Sequence, residues 1–139
     1  AGVIDMPIGR SPSDRKKMAV VDEGGREALT AYYVIDTFPP FQYIRLKLGT
    51  GRTHQIRVHL SRVSHPVLGD PVYGGAKARR GGLSGKAAAR ADRALAMIDR
   101  QALHAEELSF THPTKGELVV FKAPLPDDFR AVLDFLKTV

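Results

Sequence analysis

The 139-residue sequence contains no cysteine, which excludes disulfides and thiolate metal sites and permits a reducing compartment without proving one. No apolar run is long enough to span a bilayer, and no signal-peptide pattern opens the sequence. His-Glu-x-x-His is also missing, and His54 and His59, five positions apart, do not share one helix face, which argues against a hydrolytic zinc site. Gly85-Lys86 does not close a phosphate loop, because that loop would need a glycine where Arg80 stands and a serine or threonine where Ala87 stands. The expectation is a cytoplasmic protein with no metal and no membrane contact.

Positive charge, by contrast, is in excess. Lysine and arginine number 21 against 15 acids, giving a net charge of +6, and the pI is ≈ 9.8. Phosphates attract such side chains whatever the base, so the balance favours a polyanionic partner. The cations are gathered: Arg10, Arg15, Lys16 and Lys17 form one group, and Lys77, Arg79, Arg80, Lys86, Arg90 and Arg93 another. The acids collect late, at Glu106, Glu107, Glu117, Asp127, Asp128 and Asp134. A hydrophobic fraction of 43% and a charged fraction of 26% are ordinary for one globular domain of this length.

Residues 1–16 hold Pro7, Gly9 and Pro12 among few apolar positions and read as an irregular, partly disordered lead-in. Strands are expected over 18–22, 27–38 and 41–48, separated by Asp22-Glu23-Gly24-Gly25 and by Pro39-Pro40, which makes an antiparallel meander. The strand over 27–38 is apolar on both faces, the mark of a central strand. Thr53 is the expected N-cap of a short helix whose buried stripe is Ile56, Leu60 and Val63. Residues 65–75 read as a structured loop, 76–85 as a basic flexible loop and 86–99 as a helix. A hairpin over 103–123 turns at His112-Pro113-Thr114-Lys115-Gly116, and 127–139 sets Phe129, Val132, Leu133 and Leu136 on one helical stripe. The class is α+β, with a mixed, largely antiparallel sheet and flanking helices.

The densest chemistry lies in Gly51-Arg52-Thr53-His54-Gln55-Ile56-Arg57-Val58-His59-Leu60. A strand, a glycine turn and a helix start would there bring backbone amides and guanidinium groups to one spot, which suits a phosphate or a carboxylate. His54, Arg57 and Ser61 share the side of the wheel opposite the apolar stripe. A solvated helix whose arginines face water fits the spacing as well, and composition does not decide between the two.

That stretch, followed by His65-Pro66-Val67-Leu68-Gly69-Asp70-Pro71-Val72-Tyr73-Gly74-Gly75, resembles the signature of the RNA pseudouridine synthases of the RluA/RluD type. The likeness extends to Ile4-Asp5-x-Pro7-Ile8-Gly9-Arg10 and Met18-Ala19-Val20. It continues through Arg100-Gln101-Ala102-Leu103-His104-Ala105, Leu108, Phe110, His112-Pro113 and Gly116 to Ala123-Pro124-Leu125-Pro126, thus over essentially the whole chain. The resemblance implies an enzyme that converts uridine to pseudouridine in RNA, ribosomal RNA foremost, without a cofactor and by extruding the target nucleotide. It implies that Arg57 pairs with the family's nucleophilic aspartate, as a permanent cation beside a carboxylate held ionised in a desolvated pocket. Arg52 and His54 are the implied RNA contacts, with Arg10, Lys16 and Lys17 outside them.

The family's nucleophile lies in a His-Arg-Leu-Asp type motif and its active-site tyrosine in a Tyr-x-Ala-x-Val type strand, and neither occurs in this sequence. Residues 1–139 are therefore expected to be the C-terminal portion of such a catalytic domain, inactive alone. Arg57 would then be exposed, or paired with Asp70 or another acid. The alternative is a non-catalytic RNA-binding module that uses the same basic groups. His54 fits a backbone-bonded structural histidine as well as an RNA contact. Asp70, in its His-Pro-x-x-Gly-Asp-Pro turn, is expected first to cap its own backbone.

Overall fold

The computed structural model describes residues 1–77, 83 and 85–138. Its elements are β1 (Gly2–Asp5), β2 (Ile8–Arg10), β3 (Met18–Val20), β4 (Leu29–Phe38), β5 (Phe41–Leu48), α1 (Gln55–Arg62), α2 (Gly85–Ala96), β6 (Glu107–Thr111), β7 (Leu118–Lys122) and α3 (Asp127–Lys137). Every pairing among the described residues is antiparallel: a three-stranded sheet in the order β1-β4-β5, and the hairpins β2-β3 and β6-β7. With its helices this is the α+β class expected, and β4 is central, as its two apolar faces required. The basic loop expected over 76–85 falls mostly on residues 78–82 and 84, outside the described residues.

The N-terminal lead-in differs from expectation. It carries β1, which takes the free edge of β4 with Ile4 opposite Thr30, and β2, which pairs with β3. The meander over 18–48 is thereby broken, since β3 belongs to the hairpin and β1 occupies the edge. Few apolar residues suffice here because two of them are fully used: Ile4 and Ile8 are 4% and 2% exposed.

Three apolar clusters hold the elements together. Phe38, Ala94, Ile98, Val132, Leu133 and Leu136 seat α2 and the α3 stripe against the far end of the sheet. Ile4, Leu60 and Val67, with Ile56 and Val63 packed on them, fix α1 to β1. Ile8, Ala28 and Val58, with Met18, Val20 and Tyr73, fix α1 to the β2-β3 hairpin. Helix α1 is thus gripped through Leu60 on one flank and Val58 on another. The β6-β7 hairpin turns where expected but its first strand begins at Glu107 rather than Leu103, and Leu108 and Phe121 are 61% and 57% exposed.

Buried polar groups complete the grip on α1. His59, with no exposed surface, donates from Nε2 to the Met6 carbonyl (2.9 Å) and so accepts the Thr30 hydroxyl proton at Nδ1 (2.8 Å). The Gln55 amide nitrogen donates to Thr30 Oγ1 and to the Leu29 carbonyl, each at 2.9 Å. Its oxygen accepts from the Thr50 hydroxyl (2.7 Å) and the Arg52 amide (3.0 Å). Among the described residues no buried side-chain nitrogen or oxygen lacks a partner. Thr30→Val keeps the shape but strands His59 Nδ1 and a Gln55 N–H. The expected cost is about 1–3 kcal/mol per stranded group, read as a lower urea midpoint at unchanged slope. A loss below about 0.5 kcal/mol, the size of an ordinary surface change, would mean that the network does not hold the helix.

Candidate functional site: an arginine face on helix α1

The helix begins one residue later than expected. His54, not Thr53, is its N-cap, with φ 54, ψ 21 and no capping bond from its side chain. Gln55 does the closing instead, by accepting the Arg52 amide, while its own amide donates to the Arg52 carbonyl (3.0 Å). Two of the amides expected to cradle an anion are therefore already used. Left-handed backbone is uncommon outside glycine, though histidine tolerates it better than most. Here the conformation accompanies an imidazole bonded to Tyr73.

Opposite the helix, residues 67–75 close on themselves through Asp70 N–H to Val67 O (3.1 Å), Gly75 N–H to Asp70 O (3.0 Å) and Gly69 N–H to Gly75 O (2.8 Å). A Cβ on Gly75 would run into the Val67 carbonyl, and Gly69 has φ +80 against the Arg100 carbonyl, so both positions require glycine. The closed loop holds Asp70 with no exposed surface. Its Oδ1 accepts the amides of Val72 (2.9 Å) and Tyr73 (3.1 Å), an Asx-type turn.

The same carboxylate holds Arg57 as a fork, Nε to Oδ2 at 2.8 Å and Nη2 to Oδ1 at 2.9 Å. Of the two states expected for Arg57 the structure shows the paired one, with the arginine side chain 12% exposed. Burial is the largest single influence on the Asp70 carboxyl and opposes its charge. The Arg57 hydrogen bonds, the Val72 and Tyr73 amides and the Arg57 charge together outweigh it, so Asp70 titrates below the ordinary carboxylate range. The hydrogen bond to Asp70 in turn raises Arg57 despite burial. The fork leaves the Nη1 amino group and one Nη2 proton without a hydrogen-bond partner among the described residues.

Tyr73 joins the face together. The Arg57 guanidinium carbon lies 4.9 Å from its ring centroid, and the His54 ring meets it edge-on at 5.6 Å. The Tyr73 hydroxyl accepts the Met18 amide (3.1 Å), which frees the phenolic proton for His54 Nδ1 (2.8 Å). The Ser61 hydroxyl donates to the Tyr73 carbonyl (2.8 Å). His54, Arg57 and Ser61, grouped by the helical wheel, thus converge on one residue that the sequence reading left out of the site. The available signal was its place three residues after Asp70, at the exit of a turn that returns the chain to the helix. Burial first, then the Arg57 charge, lowers the His54 pKa, with Asp70 opposing, which favours the neutral imidazole.

The other predicted site residues lie around this face. Arg52 is half-buried and donates from Nε to the Glu27 carbonyl (2.8 Å). Arg10 donates from Nη1 to the Arg15 carbonyl (3.0 Å), and the amides of Lys16 and Lys17 bond Asp14, at 3.1 Å to Oδ1 and 3.0 Å to its carbonyl. These bonds close the β2-β3 turn and leave the Arg10, Lys16 and Lys17 side chains exposed. An open trough of about 1600 Å³ runs between β5, residues 102–109 and α3, and none of His54, Arg57, Asp70 or Tyr73 lines it. Among the described residues no group of three or more His, Asp or Glu could hold a metal ion, and no helix is long and apolar enough to cross a membrane.

Residues 1–62 match a family model described as RNA pseudouridylate synthase. The chain is 47% identical over 136 residues to ribosomal large subunit pseudouridine synthase D of Neisseria meningitidis serogroup A, covering 98% of this chain and 35% of that protein. It is 45% identical over 136 residues to the protein of the same description in Pseudomonas aeruginosa, covering 98% and 41%. Among solved structures, human RNA Pseudouridylate Synthase Domain Containing 4 superposes with a TM-score of 0.68 at 30% identity, over 98% of this chain and 56% of that one. The chain therefore spans well under half the length of these curated relatives.

Proposed function

Since the chain belongs to the RNA pseudouridylate synthase family, we propose that its α1 face forms the cationic side of a centre that converts uridine to pseudouridine in RNA, ribosomal RNA foremost. The observation that carries this reading is the free edge of Arg57. Asp70 grips one edge of the guanidinium, and Nη1 is left to receive a carboxylate that the described residues do not place beside it. Because Asp70 already balances the arginine charge, an incoming carboxylate gains oriented hydrogen bonds more than net neutralisation. That leaves it ionised yet available as a nucleophile.

The reaction detaches uracil from C1′ and rejoins it through C5, so the same base is kept and no co-reactant is consumed. Arg52, His54 and the cations Arg10, Lys16 and Lys17 hold backbone phosphates while the target nucleotide is out of its stack. Residues 1–139 alone supply no nucleophile and are expected to release no tritium from 5-tritiated uridine in RNA. Turnover by these residues alone would remove the need for an outside carboxylate.

A non-catalytic RNA-binding module is the second reading, supported by the exposed cations Arg10, Lys16 and Lys17, which serve binding without chemistry. A longer polypeptide containing these residues decides between the two by turning over or failing to. Both readings require RNA affinity to fall steeply between low and physiological salt, by roughly a power of ten for every one or two phosphate contacts per decade of salt. A flat response would contradict both.

A further inference from the structure

We propose that Tyr73 is a positioning residue: its ring backs the Arg57 guanidinium while its hydroxyl links His54 to the backbone of the β2-β3 hairpin, so that Arg57 and the hairpin cations face RNA as one surface. The RNA part rests on the reading above; the linkage does not. Through hydrogen bonds and ring contacts Tyr73 meets all three parts: Met18 of the hairpin, His54 and Arg57. Tyr73 packs against the buried cluster of Ile8, Ala28 and Val58, its hydroxyl accepts the Met18 amide and reaches His54 Nδ1, and its amide is held by Asp70. Met18 lies opposite Arg10 in the hairpin register and directly follows Lys16 and Lys17. Among the described residues the hairpin strands otherwise meet α1 through the apolar cluster of Ile8, Ala28 and Val58, and apolar contact is non-directional.

The groups that face His54 are Tyr73, Arg57 and Asp70. The phenolic proton donated to Nδ1 favours the neutral imidazole, so its removal lets His54 take up a proton at higher pH.

The test uses nuclear magnetic resonance on the 139-residue chain. Tyr73→Phe keeps the ring and removes the hydroxyl. The expected result is a Met18 amide that exchanges roughly tenfold faster, the equivalent of one lost hydrogen bond, and a His54 titration moved upward, with the Arg57 Nε–H signal unchanged. Tyr73→Leu removes the ring as well and is expected to add faster exchange at Arg57 Nε–H, so phenylalanine rescues the arginine and not the hairpin. Affinity for a single-stranded uridine oligonucleotide should fall several-fold in Tyr73→Phe. If Tyr73→Phe folds and leaves both Met18 exchange and the His54 titration at wild-type values, the linkage is wrong, whatever Tyr73→Leu does. If the wild-type chain binds no oligonucleotide while both changes occur, the linkage stands and the RNA reading falls.

Discussion

Replacing Asp70 by alanine in the 139-residue chain is expected to remove about 3–5 kcal/mol of stability in urea unfolding, because it strands a guanidinium that is nearly buried. The amides of Val72 and Tyr73 lose their acceptor in the same step. Removing both partners as Arg57→Met with Asp70→Leu should cost clearly less than the sum of the single changes, since no charge is then left alone. Acidity reports the same pair. The folded-state pKa of Asp70 is depressed, so its contribution is complete above the ordinary carboxylate range and disappears as the pH falls through the lower folded value. Asp70→Asn should flatten that acid limb. Additive single losses, or an unchanged acid limb, would show that the pair is incidental to the fold.

The second large effect concerns chemistry. In a polypeptide of full family length that carries these residues, Arg57→Lys is expected to reduce turnover by roughly two to three powers of ten, with RNA affinity nearly unchanged. Lysine keeps the charge and can reach Asp70, but an ammonium cannot hold one carboxylate by a fork and present a second planar edge to another. Equal losses in turnover and in RNA affinity would instead make Arg57 a phosphate contact.

Much of this face was legible in the sequence. The central strand followed from the two apolar sides of residues 28–35, whereas of the stripe Ile56, Leu60, Val63 only Leu60 is buried, and Gln55, Val58 and His59 are buried beside it. The family resemblance singled out Arg57, and the turn chemistry of Gly69-Asp70-Pro71 foretold the backbone cap on Asp70. The loop that carries Tyr73 was legible, but the bonds of its hydroxyl were not, because they reach His54 and a hairpin far off in sequence. The lead-in was misread for a related reason. Composition counts apolar residues, whereas Ile4 and Ile8 matter by where they land. His59, in the densest part of the signature, belongs to the fold and not to the face, a distinction that only its bonds to Met6 and Thr30 make. In the β6-β7 hairpin the residue pattern placed the turn but not a neighbour to cover Leu108 and Phe121.

The central claim is that Asp70 holds one edge of Arg57 so that the other can receive a carboxylate. The direct measurement is a crystal structure of a family-length polypeptide containing these residues. It should show an aspartate from outside them within about 3 Å of Arg57 Nη1, with the Asp70 fork intact. Nη1 left in bulk water, or a fork broken to admit the newcomer, would contradict the account.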